Sequence, residues 1–302
     1  MKEVQLGEQT YQYIAHYKKD DRLRNRFNAL TQRVWGFDFE KWYASGYWDR
    51  DCTLHSLMDG ELMVAHATVT AFRVHFEGKE QIWLQLGTVM TDTSYLNRGL
   101  SRYLMERIQL EWADKCDGMF LFANDSVLDF YPKFDFEPVA EYRFSTAVAY
   151  EAIDGEVLQL NMAVQSDRDF LLQAATASIP HAALTVKNPA LILFYACCCD
   201  FFNCSQLIYY VPALQTVAVV DYQEDRMLLY DVYCAQEVDI KGLIKILARP
   251  QTRRTILSFT PLDRSGFTVE PLQEDDTTLF VSKGLKPIFE ESKVMIPLLS
   301  HT

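Results

Sequence analysis

Apolar residues in the first half of the chain switch between helical and alternating spacing. Leu23, Phe27, Leu30 and Val34 fall on one face of a helix spanning Asp20 to Trp35, with Arg22, Arg24, Arg26 and Arg33 elsewhere. Asp20 or Asp21 caps its start and Gly36 stops it. Val4 to Tyr13, before it, reads as an opening strand or an irregular lead-in. Thr53 to Leu57 and Leu62 to Phe72 read as strands around the turn Met58–Asp59–Gly60–Glu61, the second extending through Arg73 to Phe76. Glu77–Gly78–Lys79 then turns into a strand from Gln81 to Met90, which completes an antiparallel meander. Leu100, Tyr103, Leu104 and Ile108 return to helical spacing in a helix predicted to end at Cys116. A strand from Met119 to Ala123 follows. A strand–helix–strand crossover makes it parallel to the strand before the helix. Another strand, Tyr142 to Tyr150, runs into the second half.

The second half shows helices at Asp167 to Ala177, Pro189 to Asp200 and Asp239 to Ala248. Strands are expected at Gln206 to Val211, Thr216 to Asp221, Met227 to Tyr233 and Arg254 to Phe259, with late ones at Thr278 to Val281 and Val294 to Pro297. Three antiparallel strands, a helix and a strand thus recur in the order of the first half. The fold class is mixed α/β (α+β), a mostly antiparallel sheet flanked by helices in residues 1–150 and a second α+β domain in 151–302. Its 302 residues suit two domains.

Composition narrows the function classes. The chain is 49% hydrophobic, so a full core forms and disorder is not indicated. The net charge of −12 comes without a Lys/Arg run, which argues against nucleic acid and anionic membrane as partners. Met1 to Thr10 has two Glu and no apolar segment of the secretory kind, and the apolar run Ala190 to Cys199 is too short to span a bilayer. A cytoplasmic protein is expected. Of seven cysteines, Cys197, Cys198 and Cys199 are adjacent, a spacing that suits free thiols better than disulfides or zinc. Six scattered His point to no metal. Motifs of serine hydrolases, P-loop nucleotidases and dinucleotide-binding folds do not occur.

The chemistry concentrates in Leu84 to Ile108, LQLGTVMTDTSYLNRGLSRYLMERI. Strand, polar turn with Gly99, then helix is a plan for holding an anion. The first helical amides have no intrahelical partner, and glycine lets the backbone approach a ligand. A second stretch, FLFANDSVLDFYPKFDFEPV from Phe120 to Val139, carries Asn124 and, seven residues on, Tyr131. Together these resemble the GNAT superfamily, the GCN5-related N-acetyltransferases. That family's Gln/Arg-x-x-Gly-x-Gly/Ala loop falls on Leu96, Asn97, Arg98, Gly99, Leu100 and Ser101. Its Asn, Tyr and Gly-Phe signature falls on Asn124, Tyr131, Asp135 and Phe136. Leu96, Ser101 and Asp135 depart from the pattern, and Arg98 is a substitute source of positive charge. FDFEKWY, GYW and the terminal PLLSHT resemble the two-lobed GNAT proteins of Gram-positive bacteria. The turn CAQEVD, Cys234 to Asp239, has no glycine cradle and carries Glu237 and Asp239, so the second domain reads as a GNAT-like lobe without a coenzyme site, the alternative being an unrelated α+β domain.

The resemblance implies an acetyltransferase with acetyl-coenzyme A as donor and a small-molecule or peptide amine as acceptor, working as a monomer or homodimer without metal. Pyrophosphate is expected on the amides of Asn97 to Arg102, and the pantetheine arm in the gap between the two parallel strands, near Asn124 and Phe130. A backbone N–H among Val89, Met90 and Thr91 would face the thioester oxygen, and Tyr131 would protonate the leaving thiolate. Glu40, Tyr43, Tyr47 and Trp48 are candidates for the acceptor pocket. Deprotonating a lysine-like amine at pH 7 costs about 4.6 kcal/mol, roughly 3.4 units at about 1.36 each. No residue stands out as its base. Gln85 cannot take a proton, and Glu40, Asp49, Asp92, His55 and His66 remain open alternatives. The reading of a second class is an acyl-coenzyme A-binding or protein-interaction module that has lost the chemistry.

Overall fold

The structure, a computed structural model, describes residues 1–48, 51–153 and 155–301, so Asp49, one candidate base, lies outside the described residues. The chain opens with the hairpin β1 (Lys2–Leu6) and β2 (Gln9–Ala15). Helix α1 (Asp21–Trp35) is capped by the Asp20 carboxylate, which accepts the Leu23 amide at 3.1 Å, and Gly36 ends it in the left-handed conformation at φ 80°. The short α2 (Glu40–Ser45) follows. Then come β3 (Cys52–Asp59), β4 (Leu62–Phe76) and β5 (Lys79–Thr91), paired antiparallel as expected.

Helix α3 (Leu100–Trp112) crosses over to β6 (Gly118–Ala123), which is parallel to β5. After β7 (Phe136–Pro138) the chain leaves this sheet. It continues through β8 (Tyr142–Ala147), β9 (Leu158–Gln159), α4 (Gln165–Ala177), β10 (Leu184–Lys187) and α5 (Leu191–Cys197). The remaining elements are β11 (Ile208–Val211), β12 (Thr216–Gln223), β13 (Arg226–Tyr233), α6 (Ile240–Leu247), β14 (Arg254–Leu257), β15 (Thr268–Pro271), β16 (Thr278–Ser282) and α7 (Lys286–Ser292).

Two mixed, mostly antiparallel sheets result. The first runs β1-β2-β3-β4-β5-β6-β16-β7, with β10 added to β4 beyond the end of β3. The second runs β15-β8-β14-β13-β12-β11-β9. Three antiparallel strands (β11, β12, β13), helix α6 and a strand parallel to β13 (β14) repeat the order seen in the first sheet. Strands also exchange between the halves. β8 joins the second sheet, while β10 and β16 from far downstream join the first. β16 lies between β6 and β7 with Phe280 and Val281 buried.

The first sheet is buried on both faces. Leu84, Leu86, Leu104 and Ile108 pack between it and α3. On the other face Phe72, Trp83 and Phe120 join α1, α2, α5 and residues of the second sheet in one larger core. That two-sided burial explains the nearly continuous apolar sequence of β4.

Some expected elements end early or take another form. The predicted helix Pro189 to Asp200 is ordered as α5 over Leu191–Cys197 only. Val294 to Pro297 is not a strand. Its backbone donors go to side chains instead, Met295 to Thr260 Oγ1 at 3.1 Å and Ile296 to Glu141 Oε1 at 2.7 Å.

Candidate functional site

The loop between β5 and α3 is built to expose amides. Asp92 accepts the Ser94 amide at 3.1 Å and starts a short 3₁₀ turn, Thr93–Tyr95. Asn97 and Gly99 then take positive φ, 62° and 77°, which curls the backbone into the start of α3. Gly99 is the N-cap, no side chain caps the helix, and no acidic residue lies in its first turn. The first intrahelical bond runs from Tyr103 N–H to Gly99 C=O. The amides of Leu100, Ser101 and Arg102 therefore have no intrahelical partner. A Cβ built on Gly99 meets nothing within 4 Å, so the space beside these amides is open.

The neighbouring strands part where the resemblance requires it. β5 and β6 are in register only from Trp83–Gly118 to Gln85–Phe120. Beyond that point Leu86 to Thr91 and Phe122 to Asn124 diverge around a cavity of about 1180 Å³. Opposite β4, the β5 register shifts between His66 and Thr68, leaving Thr88 and Val89 without partners in the ladder. Thr88 has φ 47°, uncommon for a β-branched residue.

Most of the expected coenzyme residues meet at this cavity. Val89, Met90 and Thr91 line its wall, and Leu96, Asn97, Gly99, Leu100, Ser101 and Arg102 line the helix end. Asn124, Phe130 and Tyr131 line the opposite side. Thr91 and Ser101 hydroxyls bond across the turn at 2.7 Å. Arg98 turns away, donating to Gln9 Oε1 and Ser94 C=O and stacking on Tyr95, so its charge is spent outside the cavity. Arg102 and Lys133 are the cations on the lining. Tyr131 is buried among Phe130, Phe136 and Phe280, and burial pushes its phenol up to about 12. It is protonated at neutral pH. Donors at a helix N-terminus beside an elongated cleft fit a coenzyme pyrophosphate and its arm.

The far end of the cavity is aromatic. Trp35, Phe37, Phe39 and Trp42 come from α1, α2 and the link between them, and Phe194, Tyr195 and Phe201 from α5 and the loop after it. Phe122 stacks on His301 with ring centroids 3.9 Å apart, and the Tyr195 hydroxyl donates to His301 C=O at 2.6 Å. Two buried ring nitrogens here, Trp42 Nε1 and His301 Nε2, have no hydrogen-bond partner among the described residues. Burial pushes His301 down to about 4, so its imidazole is neutral at pH 7.

Glu40, Tyr43, Tyr47 and Trp48 lie off this cavity. Glu40 accepts from Arg24 at 2.8 and 2.9 Å and from Asn28 at 2.9 Å, which holds its carboxyl low. The Arg24 guanidinium in turn covers the Tyr43 ring. Trp48 stacks behind Trp42 at 5.2 Å, and Tyr47 borders a separate cavity of about 630 Å³ with Lys41 and Arg168. The cavity takes other residues of the same aromatic stretch, Phe37, Phe39 and Trp42. Residues on a short helix alternate between cavity and core within one turn.

The other candidate bases divide. Asp92 is held by Arg33 at 2.9 Å, and His55 sits on the α3 side, bonded to Tyr13 at 2.8 Å. His66 is fully buried below the β5 irregularity, within reach of the cavity wall through Thr68 and Thr88. Among the described residues no cluster of His, Cys, Asp or Glu could hold a metal ion, and no helix is long and apolar enough to cross a membrane.

Residues 17–139 match the family model of an acetyltransferase (GNAT) domain. No curated protein is significantly similar to the chain in sequence. Among solved structures, a conserved protein of Enterococcus faecalis V583 described as a probable N-acyltransferase superposes with TM-score 0.62 at 12% identity, covering 90% of this chain and 72% of that one. A GCN5-related N-acetyltransferase from Kribbella flavida gives 0.56 at 14% identity, over 90% and 70% of the two chains. One from Anabaena variabilis ATCC 29413 gives 0.56 at 10%, over 89% and 72%. These likenesses establish a fold shared along most of the chain. Residues 17–139, the part of the chain that matches the GNAT acetyltransferase domain model, hold the split strands and the bare start of α3.

Proposed function

We propose that the protein is an N-acetyltransferase that moves acetyl from acetyl-coenzyme A directly to an amine. The observation that carries this reading is one continuous cavity joining the uncapped N-terminus of α3, the gap between β5 and β6, the Tyr131 phenol and an aromatic chamber. The amides of Leu100, Ser101 and Arg102 bind pyrophosphate, and Asn124 and Phe130 flank the arm. A peptide N–H of the irregular segment Thr88–Thr91 donates to the thioester oxygen as it gains charge. Tyr131, held protonated by burial, donates its proton to the departing sulfur.

The aromatic walls favour an acceptor whose amine is carried on an apolar or aromatic body. The second half of the chain, which repeats the strand order but caps α6 with the Asp239 carboxylate on the Lys241 amide, acts as a GNAT-like lobe that closes this chamber without holding coenzyme. A second reading has one observation in its favour. Glu40 and Asp92 are both committed to arginines, which suits a module that binds acyl-coenzyme A without turnover.

Titration calorimetry with acetyl-coenzyme A, followed by a thiol-release assay over a panel of apolar amines, tests both readings. Binding with turnover supports the enzyme. Binding with no turnover on any amine leaves the non-catalytic module, and no binding removes both.

A further inference from the structure

Direct transfer to an amine that arrives as an ammonium ion needs somewhere for a proton to go. From the cavity wall a continuous line of hydrogen-bonding side chains runs inward. Thr88 Oγ1, on the irregular segment of β5, lies 2.5 Å from Thr68 Oγ1 on β4. Thr68 Oγ1 lies 2.8 Å from His66 Nε2. On the far side of the ring, Nδ1 lies 2.7 Å from Ser56 Oγ, which is 2.7 Å from the Tyr17 hydroxyl. Tyr17 reaches Met63 Sδ at 3.6 Å. Ser56 and His66 have no exposure, Thr68 and Tyr17 are buried, and the Phe27 ring covers the imidazole at 4.4 Å.

One arrangement of hydrogens satisfies every link. Thr88 donates to Thr68, Thr68 to Nε2, Nδ1–H to Ser56, Ser56 to Tyr17 and Tyr17 to the thioether. Thr88 Oγ1 then keeps a lone pair for whatever lies in the cavity.

We propose that Thr88, Thr68 and His66 form a proton relay that takes the proton of the acceptor ammonium, an inference that rests on the acetyltransferase reading above. The ammonium N–H passes its proton to Thr88 Oγ1 as the Thr88 proton moves to Thr68 and the Thr68 proton to His66 Nε2. The freed nitrogen lone pair forms the bond to the acetyl carbon. The carbon–sulfur bond breaks with its electron pair on sulfur, Tyr131 protonates that sulfur, and the second nitrogen proton passes to the phenolate oxygen this leaves, restoring the Tyr131 phenol. Once product leaves, His66 returns its proton along the same path to water. The sum is one amide, one thiol and one proton released, with no oxidant or reductant. Burial keeps the imidazole neutral at rest and disfavours the imidazolium, and in this arrangement of hydrogens Nε2 is the ring nitrogen without a proton. His66 is thus a proton store reached from the cavity wall through Thr88 and Thr68.

The test compares Thr68→Val with Thr68→Ser on two acceptors, one strongly basic and one already neutral at pH 7. The relay predicts that Thr68→Val lowers kcat/KM about 100-fold for the basic amine and less than about threefold for the neutral one, while the KM for acetyl-coenzyme A is unchanged. Thr68→Ser stays within about threefold of wild type on both. Equal losses on the two amines, or no loss, overturn the relay. Should Thr68→Val fail to fold by circular dichroism, Thr88→Val against Thr88→Ser carries the same comparison. A wild-type protein that acetylates no amine removes the enzyme reading and the relay with it. A wild type that turns over beside an unimpaired Thr68→Val removes the relay alone. Nitrogen-15 NMR of labelled histidine gives a readout independent of turnover. A neutral His66 ring at pH 7 is expected, and an imidazolium at that pH overturns the proposal.

Discussion

The Ile296 amide donates to the Glu141 carboxyl at 2.7 Å and ties together positions 155 residues apart. Glu141 is buried, and burial pushes its carboxyl from the ordinary 4.5 up to about 8, with Glu274 adding repulsion and the Ile296 bond partly offsetting both. The folded state therefore keeps a proton that the unfolded chain loses above about pH 4.5, so stability falls as pH rises from there toward 8. Glu141→Gln preserves the acceptor oxygen and removes the ionisation. Its melting temperature is expected to exceed wild type by several degrees at pH 8, a gap of about 1–3 kcal/mol that closes by pH 5. A pH series of thermal melts checks this, and a gap that widens toward pH 5 refutes it.

Gly99 supplies the uncapped end of α3 at φ 77°. Gly99→Asp would place a carboxylate where the pyrophosphate is proposed to sit. Acetyl-coenzyme A affinity is expected to fall at least about 100-fold, since two charges about 4 Å apart interact by about 4 kcal/mol near a protein surface. Gly99→Asn, neutral and tolerant of left-handed backbone, should lose far less. Calorimetry on both variants makes the comparison, and equal losses would point to backbone strain in place of charge.

Tyr131→Phe removes the phenol but keeps the ring among Phe130, Phe136 and Phe280. Turnover is expected to drop about 100-fold with the donor dissociation constant within about twofold of wild type. Steady-state rates beside calorimetry separate the two quantities. A loss of donor affinity as large as the loss of rate would make Tyr131 a binding residue.

Trp42 brings to the aromatic chamber an indole N–H that has no hydrogen-bond partner among the described residues. If that donor meets the acceptor, Trp42→Phe raises the acceptor KM about fivefold, in line with one hydrogen bond of about 1 kcal/mol, and leaves the donor KM alone. An unchanged acceptor KM would place the acceptor elsewhere in the chamber.

Local signals carried most of the first domain. Asp20 and Gly36 bracket α1 as a cap and a stop should, and the β5–α3–β6 crossover follows from spacing and chain geometry. What stayed hidden depends on contacts distant in sequence. Nothing in Thr278 to Ser282 says that it slots between β6 and β7, because a strand's pattern gives its faces and not its neighbours. Arg98 looked available for phosphate, yet its partners Gln9 and Ser94 come from the opening hairpin and its own turn. Thr68 and Thr88 are unremarkable as letters. Only the register shift between β4 and β5 sets their hydroxyls face to face.

The late arrival of β16 bears on how the molecule is made. A nascent chain that has reached β7 holds a sheet whose β6 side, with Phe120 and Phe122, has lost its eventual neighbour to residues not yet translated. An open, apolar strand edge invites pairing with other chains. Synthesis thus passes through a sticky interval that the arrival of β16 relieves, and a chain cut short before Thr278 would be left with that edge open.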